Sequence, residues 1–139
     1  MSIKEIQDAI INEFSRLPDW IDKCEYLIEL GKKHPIIETQ FKSEQYALAG
    51  CQSQVWIYAE IRDNRLFFLA DSDSVIIKGI LALMLRVLND QSPEDVAKAD
   101  LYFVKEIGLS TNLSPTRANG VVSIVKQMKH FGALFGSSY

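Results

Sequence analysis

Gly50-Cys51-Gln52-Ser53-Gln54-Val55-Trp56 joins a polar loop to the first strongly strand-like run of the chain. From Val55 onward, Val55, Ile57, Ala59 and Ile61 alternate with Trp56, Tyr58, Glu60 and Arg62. β-Branched and aromatic residues dominate this run, as expected of a strand with one buried face. Asp63-Asn64 supplies a tight hairpin turn. Leu66 to Ala70 then returns as a run so nearly continuous in apolar residues that both of its faces are expected to be covered. The heptapeptide thus places the Cys51 thiol at a loop tip beside an antiparallel sheet. Gly50 permits a positive φ or the close approach of another segment, and the uncharged polar Gln52 and Ser53 leave the loop accessible. A thiol so presented suits chemistry, which needs access and a tuned thiolate. The same residues also suit an ordinary, partly buried cysteine after a turn.

Outward from this core the chain reads as helical. Ser2-Ile3-Lys4-Glu5 has the form of a capping box, followed by a stripe of Ile3, Ile6, Ile10, Phe14 and Leu17. Pro18 and Asp19 open a second helix to about Lys33, with a stripe of Trp20/Ile21, Cys24, Leu27/Ile28 and Gly31 that turns Cys24 into a helix–helix interface as a small buried hydrophobe. Lys32, Lys33 and His34 suit the negative end of that helix, and Pro35 stops it. Residues 35–46 show no period and read as a surface loop, of a length often associated with function.

After the hairpin, Asp71-Ser72-Asp73-Ser74 offers N-cap chemistry to a helix from Val75 to Leu88 that is apolar on almost every side. It is too short to span a membrane, so it is expected to be the central buried helix on the sheet. Ser92-Pro93 starts a short helix, Leu101 to Leu109 reads as another, and Ser114-Pro115 launches a C-terminal helix. Its broad apolar face runs from Val121 and Val122 to Phe135, and the tail from Phe131 to Phe135 either closes the core or forms a contact. There is no repeat or linker, and 139 residues suffice for one domain with its own core.

Composition narrows function by exclusion. A net charge of −3 argues against a general nucleic-acid binder. Two cysteines and no secretory leader suggest free thiols in a reducing, cytoplasmic setting. The two histidines, His34 and His130, lie at no metal-ligand spacing and read as solvent-facing helix residues. A Cys–His hydrolase requires one of them to fold back onto Cys51. No glycine-rich phosphate loop is present, and a helix N-terminus accounts for Asp71 and Asp73 without a cation. One presented thiol remains. A single thiol can attack a sulfur–sulfur bond and carry sulfur away, which requires thiolate character and access rather than a triad. Arg117, near the start of the last helix, is a candidate cation for it if that helix start packs near the loop, and otherwise a solvated surface residue.

The heptapeptide from Gly50 to Trp56 resembles the active-site loop of the SufE family, which includes the CsdE-like relatives. These are sulfur acceptors for cysteine desulfurases in iron–sulfur cluster assembly. Ile28-Glu29-Leu30-Gly31, Asp71-Ser72-Asp73-Ser74, Ile77-Lys78-Gly79 and Leu113-Ser114-Pro115-Thr116-Arg117-Ala118-Asn119-Gly120 fit the same resemblance in the same order. The resemblance implies one α+β domain over residues 1–139, a small antiparallel sheet of about three strands covered by helices, with the architecture of the IscU/NifU scaffolds. It implies that Cys51 accepts persulfide sulfur, that Gly50, Gln52 and Ser53 form a moving loop, and that Asp73 and Arg117 flank the site and guide docking. The implied partners are a SufS-like or CsdA-like, pyridoxal-phosphate-dependent desulfurase upstream and a SufBCD-like scaffold complex downstream. The chain would carry no cofactor or metal of its own and would be an accessory sulfur-transfer protein rather than a stand-alone enzyme. A scaffold role needs about three cysteine-class ligands for a cluster, whereas Cys51 stands alone.

Two other readings remain open at this level. One is a thiol-dependent peroxidase or hydrolase using Cys51, and the other an adaptor that activates a partner by binding alone. Because an exposed persulfide is lost to reductants, the sulfur-transfer reading also requires a shelter for the Cys51 sulfur, supplied by helices and opened on docking.

Overall fold

A computed structural model describes residues 1–136. Residues 137–139, the end of the domain expected over 1–139, lie outside the described residues. The elements in chain order are α1 (Ile3–Ser15), α2 (Trp20–Lys33), a 3-10 turn (Thr39–Phe41), β1 (Val55–Arg62), β2 (Arg65–Ser72), α3 (Val75–Leu88), α4 (Pro93–Lys98), α5 (Phe103–Glu106), α6 (Leu109–Asn112) and α7 (Pro115–Gly136).

The capping box of α1 is formed. Ser2 Oγ accepts from the Glu5 amide, and the Glu5 carboxylate accepts from the Ser2 amide, each at 3.1 Å. Ile10 and Phe14 carry this helix into the core. Asp19 caps α2 through the Asp22 amide at 2.9 Å. α2 lies against α3 at a close crossing. A side chain at Gly79 would collide with the Leu27 carbonyl and one at Gly31 with that of Val75, so both positions need glycine for the backbones to meet. Cys24 lies a turn before this crossing and is half-buried rather than sealed.

α3 is the centre of the molecule. Ile80, Leu81, Met84, Val87 and Leu88 on it have no accessible surface, and each such side chain contributes roughly 1.5–3 kcal/mol through burial. Its cap is Ser74, whose hydroxyl accepts from the Ile77 amide at 3.4 Å.

The hairpin closes through Asp63 and Asn64 at φ 52° and 62°, the left-handed pair of a type I′ turn. β1 and β2 pair antiparallel from Val55↔Ser72 to Arg62↔Arg65. This is the α+β architecture, with two full strands and single bridges at both edges, Ala47↔Trp56 and Leu66↔Gln91. The third strand is reduced to the bridge around Ala47, because a turn at 43–47 takes the chain off the edge.

Several expectations are corrected. Only one face of β2 is sealed: Leu66, Phe68 and Ala70 are buried, while Leu69 is exposed. β2 extends through Ser72, so Asp71 is a fully buried strand residue, not part of the α3 cap. His34 is buried too, because α2 ends on the sheet and its Nε2 lies 2.7 Å from the Ala70 carbonyl oxygen. The helix expected over 101–109 is split into α5 and α6 by Gly108, whose φ of 93° breaks the helical run. Phe131 closes the core, edge-on to Phe68 at 6.3 Å.

Candidate functional site

The Cys51 loop spans residues 49–54 and is tied at both ends. On the incoming side, the Leu48 amide donates to the Val55 carbonyl at 2.8 Å and the Ile57 amide to the Tyr46 carbonyl at 2.9 Å. On the outgoing side, Gln54 is gripped by the β2–α3 junction. Its amide donates to Asp73 Oδ1 at 3.0 Å, and its carbonyl accepts from Ser72 Oγ at 2.7 Å and from the Asp73 amide at 3.3 Å. These anchors fix where the loop leaves the sheet and leave its tip to pack on its own.

The tip packs on α7. Gly50 has φ 88° and approaches so closely that a Cβ there would stand 3.0 Å from Ser123 Oγ, so conformation and space both call for glycine. The half-buried Cys51 side chain packs against the hydrophobic core, as do the partly buried Leu48 and Leu113. Its Sγ donates to the Gly120 carbonyl at 3.6 Å. Gly120 is itself buried, and a methyl group on it would lie 3.4 Å from the sulfur. Burial pushes the Cys51 thiol up from its ordinary pKa, favouring the protonated, less nucleophilic form. Gln52 is exposed and Ser53 half-buried at the tip.

A buried charge supports the loop from behind. Asp71 Oδ1 accepts from the Ser72 amide at 2.8 Å and Oδ2 from the Ile37 amide at 3.4 Å; Lys78 and Lys42 each place Nζ 3.4 Å from the carboxylate. Burial opposes ionisation of Asp71, but the amides and Lys78 outweigh it and hold the carboxyl below its usual range. Lys42 also lies over the Trp56 ring, 5.6 Å from its centroid. Trp56 is the β1 residue that bridges to Ala47, so the hub braces the strand end from which the loop departs.

Of the residues singled out from sequence, Gly50 and Cys51 are brought onto α7, and Asp73 holds the loop's outgoing end. Arg117 stands three residues before Gly120 on the same helix, so the helix start does pack near the loop. Its side chain is exposed, and its backbone amide donates to Ser114 Oγ at 3.3 Å. The sequence reading missed Gly120 and Ser123 as the seat of the loop, and Asp71 and Lys42 as its brace. A glycine inside an apolar helix pattern, as at Gly120, does signal a packing or functional role. Nothing in the local pattern announces the pairing of Lys42 with a residue nearly thirty positions away.

The chemistry open to this arrangement is that of one nucleophile. The Gly120 carbonyl is the hydrogen-bond partner of Cys51 among the described residues. His34 is occupied with Ala70, and His130 is exposed on α7. Among the described residues no three His, Cys, Asp or Glu side chains are grouped to hold a metal ion, and no helix is long and apolar enough to cross a membrane.

The SufE family model, described as an Fe-S metabolism associated domain, fits residues 8–131. A SufE-like protein of Rhizobium etli, itself uncharacterised, is 34% identical over 127 residues, covering 88% of this chain and 86% of its own. The solution structure of a hypothetical protein from Thermus thermophilus superposes with a TM-score of 0.77 at 18% identity, covering 95% of this chain and 96% of that one, and establishes likeness of fold. The chain belongs to the SufE family and so to the proteins associated with iron–sulfur metabolism.

Proposed function

We propose that this protein accepts sulfur from a pyridoxal-phosphate-dependent cysteine desulfurase, of the SufS-like or CsdA-like kind, and relays it to a SufBCD-like scaffold complex. Cys51 is the acceptor. Its thiolate attacks the outer sulfur of the persulfide on the desulfurase cysteine, the sulfur–sulfur bond breaks, and the donor cysteine leaves as a thiolate that takes up a proton. The proton lost by Cys51 goes to solvent or to a base on the partner. One sulfur has moved with no net oxidation.

The observation that carries this reading is the seat of the Cys51 sulfur on the Gly120 carbonyl of α7, in a loop tied by hydrogen bonds at its two ends. Partial burial favours the protonated, less reactive form of the free thiol. Release of the tip, with Gly50, Gln52 and Ser53 moving and the anchors at Leu48 and Gln54 retained, presents it to a partner. Asp73 sets the loop's outgoing end, and Arg117, exposed on the helix that seats the loop, offers a cation to the docking partner. A peroxidase or hydrolase would need a proton-transfer partner within reach of Cys51. The Gly120 carbonyl, which can only accept a hydrogen bond, does not serve as one.

Alanine release by a cysteine desulfurase from L-cysteine, with and without this protein, is the test. The wild-type protein is expected to accelerate turnover and Cys51→Ser to abolish the acceleration. Full stimulation by Cys51→Ser would show an adaptor that acts by binding alone.

A further inference from the structure

β1 carries an open hydrogen-bonding edge. The register from Val55↔Ser72 to Arg62↔Arg65, closed by a two-residue turn, directs the backbone groups of Trp56, Tyr58, Glu60 and Arg62 toward β2. Those of Val55, Ile57, Ala59 and Ile61 point the other way. The short segment Tyr46–Leu48 uses only the Val55 carbonyl and the Ile57 amide of these, through Leu48 to Val55 and Ile57 to Tyr46. The chain then turns off the edge, with the Tyr46 amide donating to the Ser43 carbonyl and the Ala47 amide to that of Glu44. Among the described residues no hydrogen bond engages the outward N–H and C=O groups of Ala59 and Ile61.

This edge borders a groove of about 880 Å³ between the sheet and α7. Its wall on the sheet side is Ile57, Tyr58 and Ala59, and its α7 side presents Lys126, Gln127 and His130. The groove ends at Leu48 and Ala49, one residue short of Gly50 and two from Cys51. An open edge left by a natural protein is normally blunted or used. An extended peptide is the occupant that satisfies a row of alternating backbone donors and acceptors. Side chains of an added strand point alternately to the two faces of the sheet. One set would meet Lys126, Gln127 and His130, whose ammonium, amide and imidazole groups suit carboxylates. The other would lie beside the outer aromatic group of Phe41, Tyr46 and Tyr58, whose ring centroids are 4.6–5.7 Å apart.

We infer that β1 takes up an extended segment with alternating acidic and apolar residues from the protein that exchanges sulfur with Cys51, adding it as a strand along Ile57–Ile61. Only the assignment of the partner rests on the Cys51 reading; the strand site stands on the open edge and the groove. Docking here would hold the partner beside the loop without occupying the Gly120 seat.

The test uses Cys51→Ser protein, so that sulfur chemistry plays no part in the outcome. The probe is a blocked pentapeptide alternating glutamate and valine, titrated against 15N-labelled protein. The expected result is saturable shifts of the Ala59 and Ile61 amides. Binding should weaken at least roughly tenfold both for the same peptide N-methylated on its edge-facing amides and for its lysine–valine counterpart. Lys126→Glu/His130→Glu protein should reverse the charge preference. No saturable shift at Ala59 and Ile61, or equal binding of the N-methylated peptide, would overturn the inference. So would self-association of the free protein through β1, because the edge would then belong to a second copy.

Discussion

The Cys51 sulfur sits 3.6 Å from the carbonyl oxygen of Gly120, on a helix turn that has no side chain to keep it away. Glycine there weakens α7 by about 1 kcal/mol relative to alanine, although a methyl group at this position would meet the sulfur only at ordinary van der Waals distance. Gly120→Ala, which brings a methyl group to 3.4 Å, is expected to raise the unfolding free energy by up to about 1 kcal/mol with little change in thiol reactivity. Gly120→Leu should displace the loop and speed alkylation of Cys51 by iodoacetamide. In the wild type that reaction should be slower than in urea-unfolded protein. Equal rates in folded and unfolded wild type would show that the seat does not protect the thiol.

Asp73 and Gln54 form the second hold on the loop. Removing the carboxylate in Asp73→Ala takes away the acceptor for the Gln54 amide, an exposed interaction worth about 0.5–1 kcal/mol. Loop opening, read as the Cys51 alkylation rate, should rise roughly two- to fivefold while global stability changes little. An unchanged rate would mean that Ser72 and the backbone hold the outgoing end without it.

Asp71 makes stability depend on pH in a defined direction. Its carboxyl is held below the ordinary range in the folded state, so the folded state favours the ionised form more than the unfolded chain does. The resulting stability is present above the unfolded carboxylate pKa of about 3.9 and is lost as pH falls through the lower folded value. Asp71→Asn should therefore cost roughly 1–3 kcal/mol at pH 7, where it leaves the partly exposed Lys42 and Lys78 without their counter-ion. The gap to wild type should shrink in strongly acid solution. Urea midpoints at neutral and acid pH measure this, and a pH-independent gap would contradict it.

Gln7 is the buried polar tie between α1 and α5. Its amide nitrogen donates to the Asp100 carbonyl and its oxygen accepts from the Phe103 amide, both at 3.1 Å. Gln7→Leu leaves those two backbone groups without a partner and should cost about 1–3 kcal/mol in urea unfolding. Since no hydrogen bond or ion pair joins α1 to the loop anchors among the described residues, Cys51 alkylation in the folded variant should match wild type.

How much of this could be read in the sequence depended on the range of the interactions. The hairpin, the capping box and the central helix come from local alternation, Asp63-Asn64, Ser2-Glu5 and Ser74, and the structure places them within a residue or two. His34 and Asp71 were misread because each lies at an element end, where a local pattern offers a surface or a cap. Their burial is decided by partners far away, Ala70 for one and Lys42, Lys78 and Ile37 for the other. The split at Gly108 turned on a single positive φ inside an otherwise continuous apolar pattern. For the site, Cys51 and its flanking glycine were legible because backbone conformation is a local property. The seat on Gly120 and Ser123 was not, because it joins segments about seventy residues apart.

Cys51 itself is the proposed recipient of the sulfur. Intact mass under non-reducing conditions, after mixing with a cysteine desulfurase and L-cysteine, tests it most directly. Wild type and Cys24→Ser are expected to gain one sulfur atom, and Cys51→Ser none. Added sulfur that persists in Cys51→Ser, or none on wild type with any related desulfurase, would contradict it.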